Sequence, residues 1–335
     1  EMPPGKDGKK LTPTQIDVIR RWIAAGAPTA RPEPKTLGRG FQFTELDREF
    51  WAFQPIRRPK PPRVRQATRI RNPLDHFVQA RLEAAGHSLA ESAPKLTLLR
   101  RACFDLLGLP PTMAQQQHFL ADTAPAAWER LVDRLLTSPH YGERWGRHWL
   151  DAAGYADSEG VTNTDPQRKW AWRFRDWVID AHNVDRPWNR FLVEQLAGDE
   201  LVTPPYKNLG PGQVKLLTAT GFLRTAPDGT AGANNAVNRN QVLAETLNVV
   251  STSILGLTVG CAQCHNHRYD PIPQVDYYRL RAIFEPALNV ARWKQPTARL
   301  VSLYTKSNKS DAERIEVEAK KIDDERSKKQ AVYIQ

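Results

Sequence analysis

Residues 261–265 read Cys-Ala-Gln-Cys-His, and Asn266-His267-Arg268-Tyr269-Asp270-Pro271 follow directly. Two thiols three positions apart with an imidazole immediately behind are the pattern to which c-type haem is attached. The spacing lets both sulfurs reach the vinyl groups on one edge of a porphyrin, while the imidazole swings beneath the ring to bind iron as proximal ligand. Ahead of the motif, Val242, Leu243, Leu247, Val250, Ile254 and Leu255 recur at helical spacing over 240–257, and Gly256 and Gly260 bracket the end of that run. The motif is therefore expected where a buried helix meets a turn.

The rest of the chain reads as mainly α, a multi-helix bundle with long irregular loops. Residues 11–27 begin with a Thr cap and an early Pro, place Ile16, Ile19, Trp22 and Ile23 on one face, and stop at Gly26. A linker rich in Pro, Arg and Gly follows to about Gly40. Gln54 to Arg71 holds seven basic residues, four prolines and no acid, so it is expected to run extended rather than helical. Helical stripes then recur at 74–86, 96–107, 113–120 and 126–136, closed by turns such as Gly108-Leu109-Pro110-Pro111. Further helices are expected over 143–157, 169–181, 191–196, 214–222 and 274–284. Residues 225–238, rich in Gly, Asn and Ala, read as a mobile loop; 299–304 as a short strand; 310–329 as a charged, solvated helical arm.

At 335 residues with 40% hydrophobic content the chain can fill a real core. Its net charge of +11 favours acidic partners, either an acidic protein or an anionic polysaccharide, and no nucleic-acid-binding motif accompanies it. Three cysteines are too few for a disulfide framework, and Cys103, at helical spacing from Leu99, Leu106 and Leu107, reads as a core thiol. No apolar run approaches a membrane span. The opening Glu1-Met2-Pro3-Pro4 reads as the inside of a longer precursor, so the lack of a visible signal peptide carries no weight. GxSxG, HExxH and phosphate-binding glycine loops are all missing from the sequence.

Four separated motifs in order carry a resemblance. Gly142-Glu-Arg-Trp-Gly-Arg-His148-Trp-Leu-Asp151, Trp170-Ala-Trp-Arg-Phe-Arg-Asp-Trp-Val-Ile, Glu194-Gln-Leu-Ala-Gly-Asp-Glu and Leu255-Gly-Leu-Thr-Val-Gly-Cys-Ala-Gln-Cys-His-Asn-His-Arg-Tyr-Asp-Pro-Ile look like the second of the planctomycete cytochrome C domains. The resemblance covers roughly 45–290. Residues 1–33 resemble the tail of the first such domain, 34–44 join the two, and 291–335 look like a lead-in to a third. In that first domain type the methionine at the place of Met2 is the distal iron ligand of a haem attached further upstream, although a loop methionine fits the same residues. The resemblance implies an exported, periplasmic protein with covalent haem c and a redox partner. Members often have Asp after the haem histidine, where this chain has Asn266.

The expected haem site is thus Cys261 and Cys264 for attachment and His265 as proximal ligand. The sixth iron position, filled or open, separates electron transfer from ligand chemistry. His148, on a Trp-bearing helix beside Asp151, is the first candidate to fill it; Met113, His140 and His182 are others. His267 is too near His265 in sequence to reach the opposite face of the same ring, which leaves a haem propionate, a second metal shared with Asp270, or a cap of the turn. Two other classes compete. A zinc or iron site could draw on Cys261, Cys264, His265 and His267, perhaps joined by His148 and Asp151, although four ligands within seven residues are hard to set tetrahedrally. Alternatively, Cys261 and Cys264 form a local disulfide in an exported, metal-free module that holds acidic glycans.

Overall fold

The computed structural model describes residues 11–28, 43–161 and 165–334. Thirteen α-helices order these described residues, joined by short 3-10 segments, and the one β pairing among them is an isolated antiparallel bridge between Ser158 and Gln167. The chain divides into two compact units, Glu1–Gln54 with Arg268–Pro271, and Pro55–His267 with Ile272–Gln335. The expected linker, 34–44, lies mostly outside the described residues, as does Met2.

In the first unit, α1 (Pro13–Ala24) starts where Thr12 and Gln15 cap each other reciprocally, with Pro13 at the first helical position. Its apolar stripe of Ile16, Ile19, Trp22 and Ile23 stands exposed. α2 (Glu45–Arg48) repeats the capping box with Thr44 and Asp47, and Phe50 packs against Trp51 and Phe53 behind it.

The second unit begins with the proline-rich segment, which has no helix up to Arg71, as expected from ring-locked φ and missing N–H donors. The Glu83 carboxylate tethers it by accepting the backbone N–H groups of Arg65 (3.0 Å) and Gln66 (3.0 Å). Glu83 sits on α3 (Pro73–Ala84), whose buried residue is Gln79; of the expected stripe, Phe77 and Leu82 are half-buried while Leu74 and Val78 are exposed, and Gln79 donates to Glu83 at 2.9 Å.

Three helices, α4 (Lys95–Leu107), α5 (Met113–Ala121) and α6 (Ala127–Leu136), enclose a small core of Leu99, Cys103, Phe119, Leu131 and Leu135. Cys103 is the core thiol its spacing indicated, and burial pushes its pKa up.

The main core lies among α7 (Pro139–Ala152), α8 (Trp172–Asn183), α9 (Trp188–Ala197), α10 (Pro211–Ala219), α11 (Ala236–Val250) and α12 (Gln274–Phe284). α7 packs closely on α8 because Gly142 and Gly146 lie on the facing side: a Cβ on Gly142 would run into the Ile179 carbonyl and the Asn183 amide. Trp149, Trp177, Phe191 and Phe222 stack or meet edge to face at centroid distances of 5.1–5.8 Å. Each such ring contributes on the order of 1.5–3 kcal/mol through burial, and Trp149 Nε1 is satisfied by Gln195 Oε1 at 2.7 Å. The last helix, α13 (Lys306–Ile334), is the expected charged arm, and its side chains over 306–333 are exposed. No helix among the described residues is long and apolar enough to cross a membrane.

One local expectation needs correction. Residues 300–305 form no strand; Pro296–Arg299 is a 3-10 turn and irregular chain follows. The Gly- and Asn-rich 225–238 stretch buries Thr225, Ala226, Asp228 and Thr230, leaves 231–237 exposed, and enters α11 at Ala236.

Candidate functional site

The site is built by the end of α11. Val242, Leu243, Leu247 and Val250 bury one face of that helix, and Asn235 caps its start by accepting the Asn238 N–H at 2.9 Å. Ser251, Thr252 and Ser253 then turn their hydroxyls back onto the Asn248 and Val249 carbonyls, at 2.6–3.0 Å. Back-bonding of this kind competes with the helical ladder, and here the helix widens into one π-type turn, Ser251–Leu255. Gly256, at φ +66°, ends it in a conformation that favours glycine.

Beyond Gly256, Val259 is buried and Gly260–Gln263 forms a 3-10 turn. Ala262, between the two thiols, is the turn's fully buried residue, so Cys261 and Cys264 both face solvent as free thiols. α12 clamps this turn: Gln274 Nε2 and Tyr278 Oη both donate to the Gln263 carbonyl at 3.1 Å. Asn266 Oδ1 accepts the Gln274 N–H at 2.8 Å and caps α12 from a distance in sequence. A carboxylate at this position would make the same bond.

The two histidines of the motif face different surroundings. The exposed His265 ring places Nδ1 2.7 Å from the Asn266 carbonyl oxygen. A carbonyl only accepts, so in the neutral ring Nδ1 carries the proton and Nε2 keeps its lone pair. His267 is buried; its backbone N–H donates to the Ile272 carbonyl at 2.9 Å and its ring Nε2 lies 3.5 Å from Thr258 Oγ1, so it ties the loop to the chain ahead of the motif. Asp270 falls in Arg268–Pro271, which groups with the first unit. Among the described residues no three His, Cys, Asp or Glu side chains gather as a metal-holding group.

One buried polar atom beside the motif lacks a partner. Tyr277 on α12 is almost fully buried, and its hydroxyl makes no hydrogen bond with the described residues. Burial raises its pKa, and the neighbouring Arg281 guanidinium opposes. With two exposed thiols and an oriented imidazole, the donor set fits covalent haem.

The other expected ligands are dispersed. His148 lies on the exposed stripe of α7, edge-on to Trp145 at 5.5 Å, while the buried face carries Gly142, Gly146, Trp149 and Leu150. Asp151, also exposed, faces Arg147 at 3.7 Å. His140 pairs with Glu143, Met113 is exposed at the start of α5, and His182 bonds the Val178 carbonyl and packs against Phe191.

A second constellation escaped the sequence. The Glu159 carboxylate accepts from Arg168 Nε at 2.9 Å and Arg224 Nη2 at 3.0 Å, and Arg224 Nη1 donates to Asp228 at 2.8 Å. Fully buried Asp228 also accepts from the Thr230 N–H and hydroxyl, and Arg168 donates to the Thr225 and Ala226 carbonyls. The available signal was Asp228-Gly229-Thr230, a lone acid and a hydroxyl in an otherwise small, uncharged run.

Residues 73–288 match the PSCyt2 family model, described as a protein of unknown function (DUF1549), and the chain belongs to that family. The match contains the thiol turn, α12 and the buried ion cluster. No curated protein and no solved structure matches the chain significantly.

Proposed function

We infer that this PSCyt2 member is an exported, c-type cytochrome-like protein that carries one covalent haem at Cys261 and Cys264, with His265 as proximal iron ligand. The observation that carries this inference is the His265 ring, whose Nδ1 is committed to the Asn266 carbonyl beside two exposed free thiols. Iron-binding histidines commonly donate their second nitrogen to a backbone carbonyl, which fixes the ring and leaves the other lone pair for the metal. A haem bound there supplies one-electron chemistry at its iron.

The chain's own residues contribute anchoring and surroundings. Ala262 packs beneath the turn and holds both sulfurs outward, and Gln274 and Tyr278 fix the carbonyl between them. Exposure of the thiol edge suits exchange of electrons with a docked redox partner, and the +11 net charge favours an acidic one. His148 would be the second iron ligand in this reading; its helix, α7, packs on the Ser251–Leu255 turn that leads into the motif, while the His148 side chain itself is exposed.

Intact-mass measurement of protein matured in a host competent for haem c attachment tests this function. The account expects one added haem that survives acid extraction, is absent from Cys261→Ala/Cys264→Ala, and maps to the peptide holding both cysteines. A natively matured chain with the unmodified mass overturns it.

A further inference from the structure

Between α12 and α13 the chain folds around a cleft of about 280 Å³ whose polar lining is Asn289, Arg292, Lys294 and Arg299. No carboxylate lines it among the described residues, and the Asn289 oxygen is already taken by the Arg292 N–H at 2.8 Å. The cleft therefore presents donors and positive charge.

Arg299 is the fixed element. Its guanidinium lies over the Trp293 ring, 4.2 Å from the centroid, and Nε donates to the Lys294 carbonyl at 2.7 Å. That leaves the Nη edge without an acceptor among the described residues. The stacking platform is itself anchored, since Trp293 Nε1 and Gln295 Nε2 both donate to buried Thr230 at 3.3 Å. Behind Arg299 lies the buried ion cluster, where Arg224 already shares its charge between Glu159 and Asp228. Burial and the Arg224 charge lower the Arg299 pKa, with Asp228 opposing. A guanidinium remains protonated under such pressure, so Arg299 keeps its charge beside Arg224, offset only in part by Asp228. Arg292 and Lys294 add two exposed cations without an ion-pair partner among the described residues.

We propose that this cleft binds a small oxyanion, a carboxylate or sulfate group on a ligand no larger than one sugar ring, held by the Nη edge of Arg299 and by Arg292 and Lys294 at its mouth. A planar fork meeting two oxygens forms two parallel charge-assisted bonds, and stacking on Trp293 preorganises that fork. The volume lies just below the usual range of about 300–1,000 Å³ for small-molecule sites, which suits a single acidic sugar or a free anion rather than a long segment of polymer. The site is independent of haem attachment.

Calorimetric titration of the full chain with sodium sulfate and, separately, sodium glucuronate at constant ionic strength tests this. At least one anion is expected to bind saturably. Sulfate alone would mark a free oxyanion site and glucuronate a sugar-acid site. Arg299→Gln should weaken binding about tenfold or more, as expected for a lost bidentate charged pair. Arg292→Gln/Lys294→Gln, at exposed positions, should weaken it several-fold even if Arg299→Gln fails to fold, and Arg58→Gln in the proline-rich segment should leave it unchanged. Absence of saturable binding by either anion overturns the proposal. So does an equal loss in all variants, which would mean diffuse charge, or unchanged binding in Arg292→Gln/Lys294→Gln.

Discussion

Arg224 holds Glu159 at 3.0 Å across sixty-five positions of sequence, and both belong to a buried cluster with Asp228 and Arg168. The bond joins the segment after α7 to the segment before α11, so the approach to the thiol turn rests partly on charge. Removing one partner of a buried pair strands the other. Arg224→Ala is therefore expected to cost about 3–5 kcal/mol in urea unfolding, with Arg224→Lys in between. A loss below about 1 kcal/mol would mean that solvent compensates the carboxylates.

Asn266 caps α12 through its side chain. Asn266→Ala should cost about 0.5–2 kcal/mol in thermal or urea unfolding. Asn266→Asp should be neutral or stabilising by about 0.3–1 kcal/mol, because a negative charge beside the first N–H groups of a helix is favourable. Equal destabilisation by both substitutions would contradict the cap.

Gly142 has no room for a side chain where α7 meets the Ile179 carbonyl and Asn183. Gly142→Ala gains helix propensity yet should destabilise by about 1–3 kcal/mol, because the helices have to separate. Calorimetric melting distinguishes this from the stabilisation expected at an open helical site.

Glu83 ties the proline-rich segment to α3. Its pKa lies below the ordinary 4.5 because the Gln79 amide, then the Gln66 and Arg65 N–H groups, bind its charged form. A carboxylate depressed on folding stabilises fully above its unfolded pKa, and the contribution fades as pH falls through the folded value. The Arg65 and Gln66 amide resonances should move together with a midpoint below 4.5. Glu83→Gln should abolish that transition, and a midpoint above 4.5 would contradict the tether.

Much of the helical order was legible because apolar spacing and caps agree. Thr112 and Gln115, for example, mark the start of α5, and Gly108 at φ +71° marks the end of α4. The turn at Cys261–His265 was legible as a motif, and the buried run ahead of it showed where it projects from. What escaped depends on contacts distant in sequence. α7 starts at Pro139 and buries Gly142 and Gly146, so its core face is set by small residues that carry no hydrophobic signal. Leu74 and Val78 form an apolar stripe that stays exposed while Gln79 is buried, since Glu83 supplies its partner. Within the 225–238 stretch Asp228 pairs with Arg224, which also holds Glu159, and no local pattern announces that charge cluster. The cap made by Asn266 is equally remote, because its helix starts at Gln274.

The visible spectrum of natively matured protein, oxidised and dithionite-reduced after acid extraction of loose haem, tests the central claim most directly. Covalent haem at Cys261 and Cys264 predicts sharp reduced bands that survive extraction and vanish in Cys261→Ala/Cys264→Ala; His265→Ala should retain the pigment with a changed spectrum. A colourless matured protein, or bands unaffected by loss of both cysteines, would contradict the assignment.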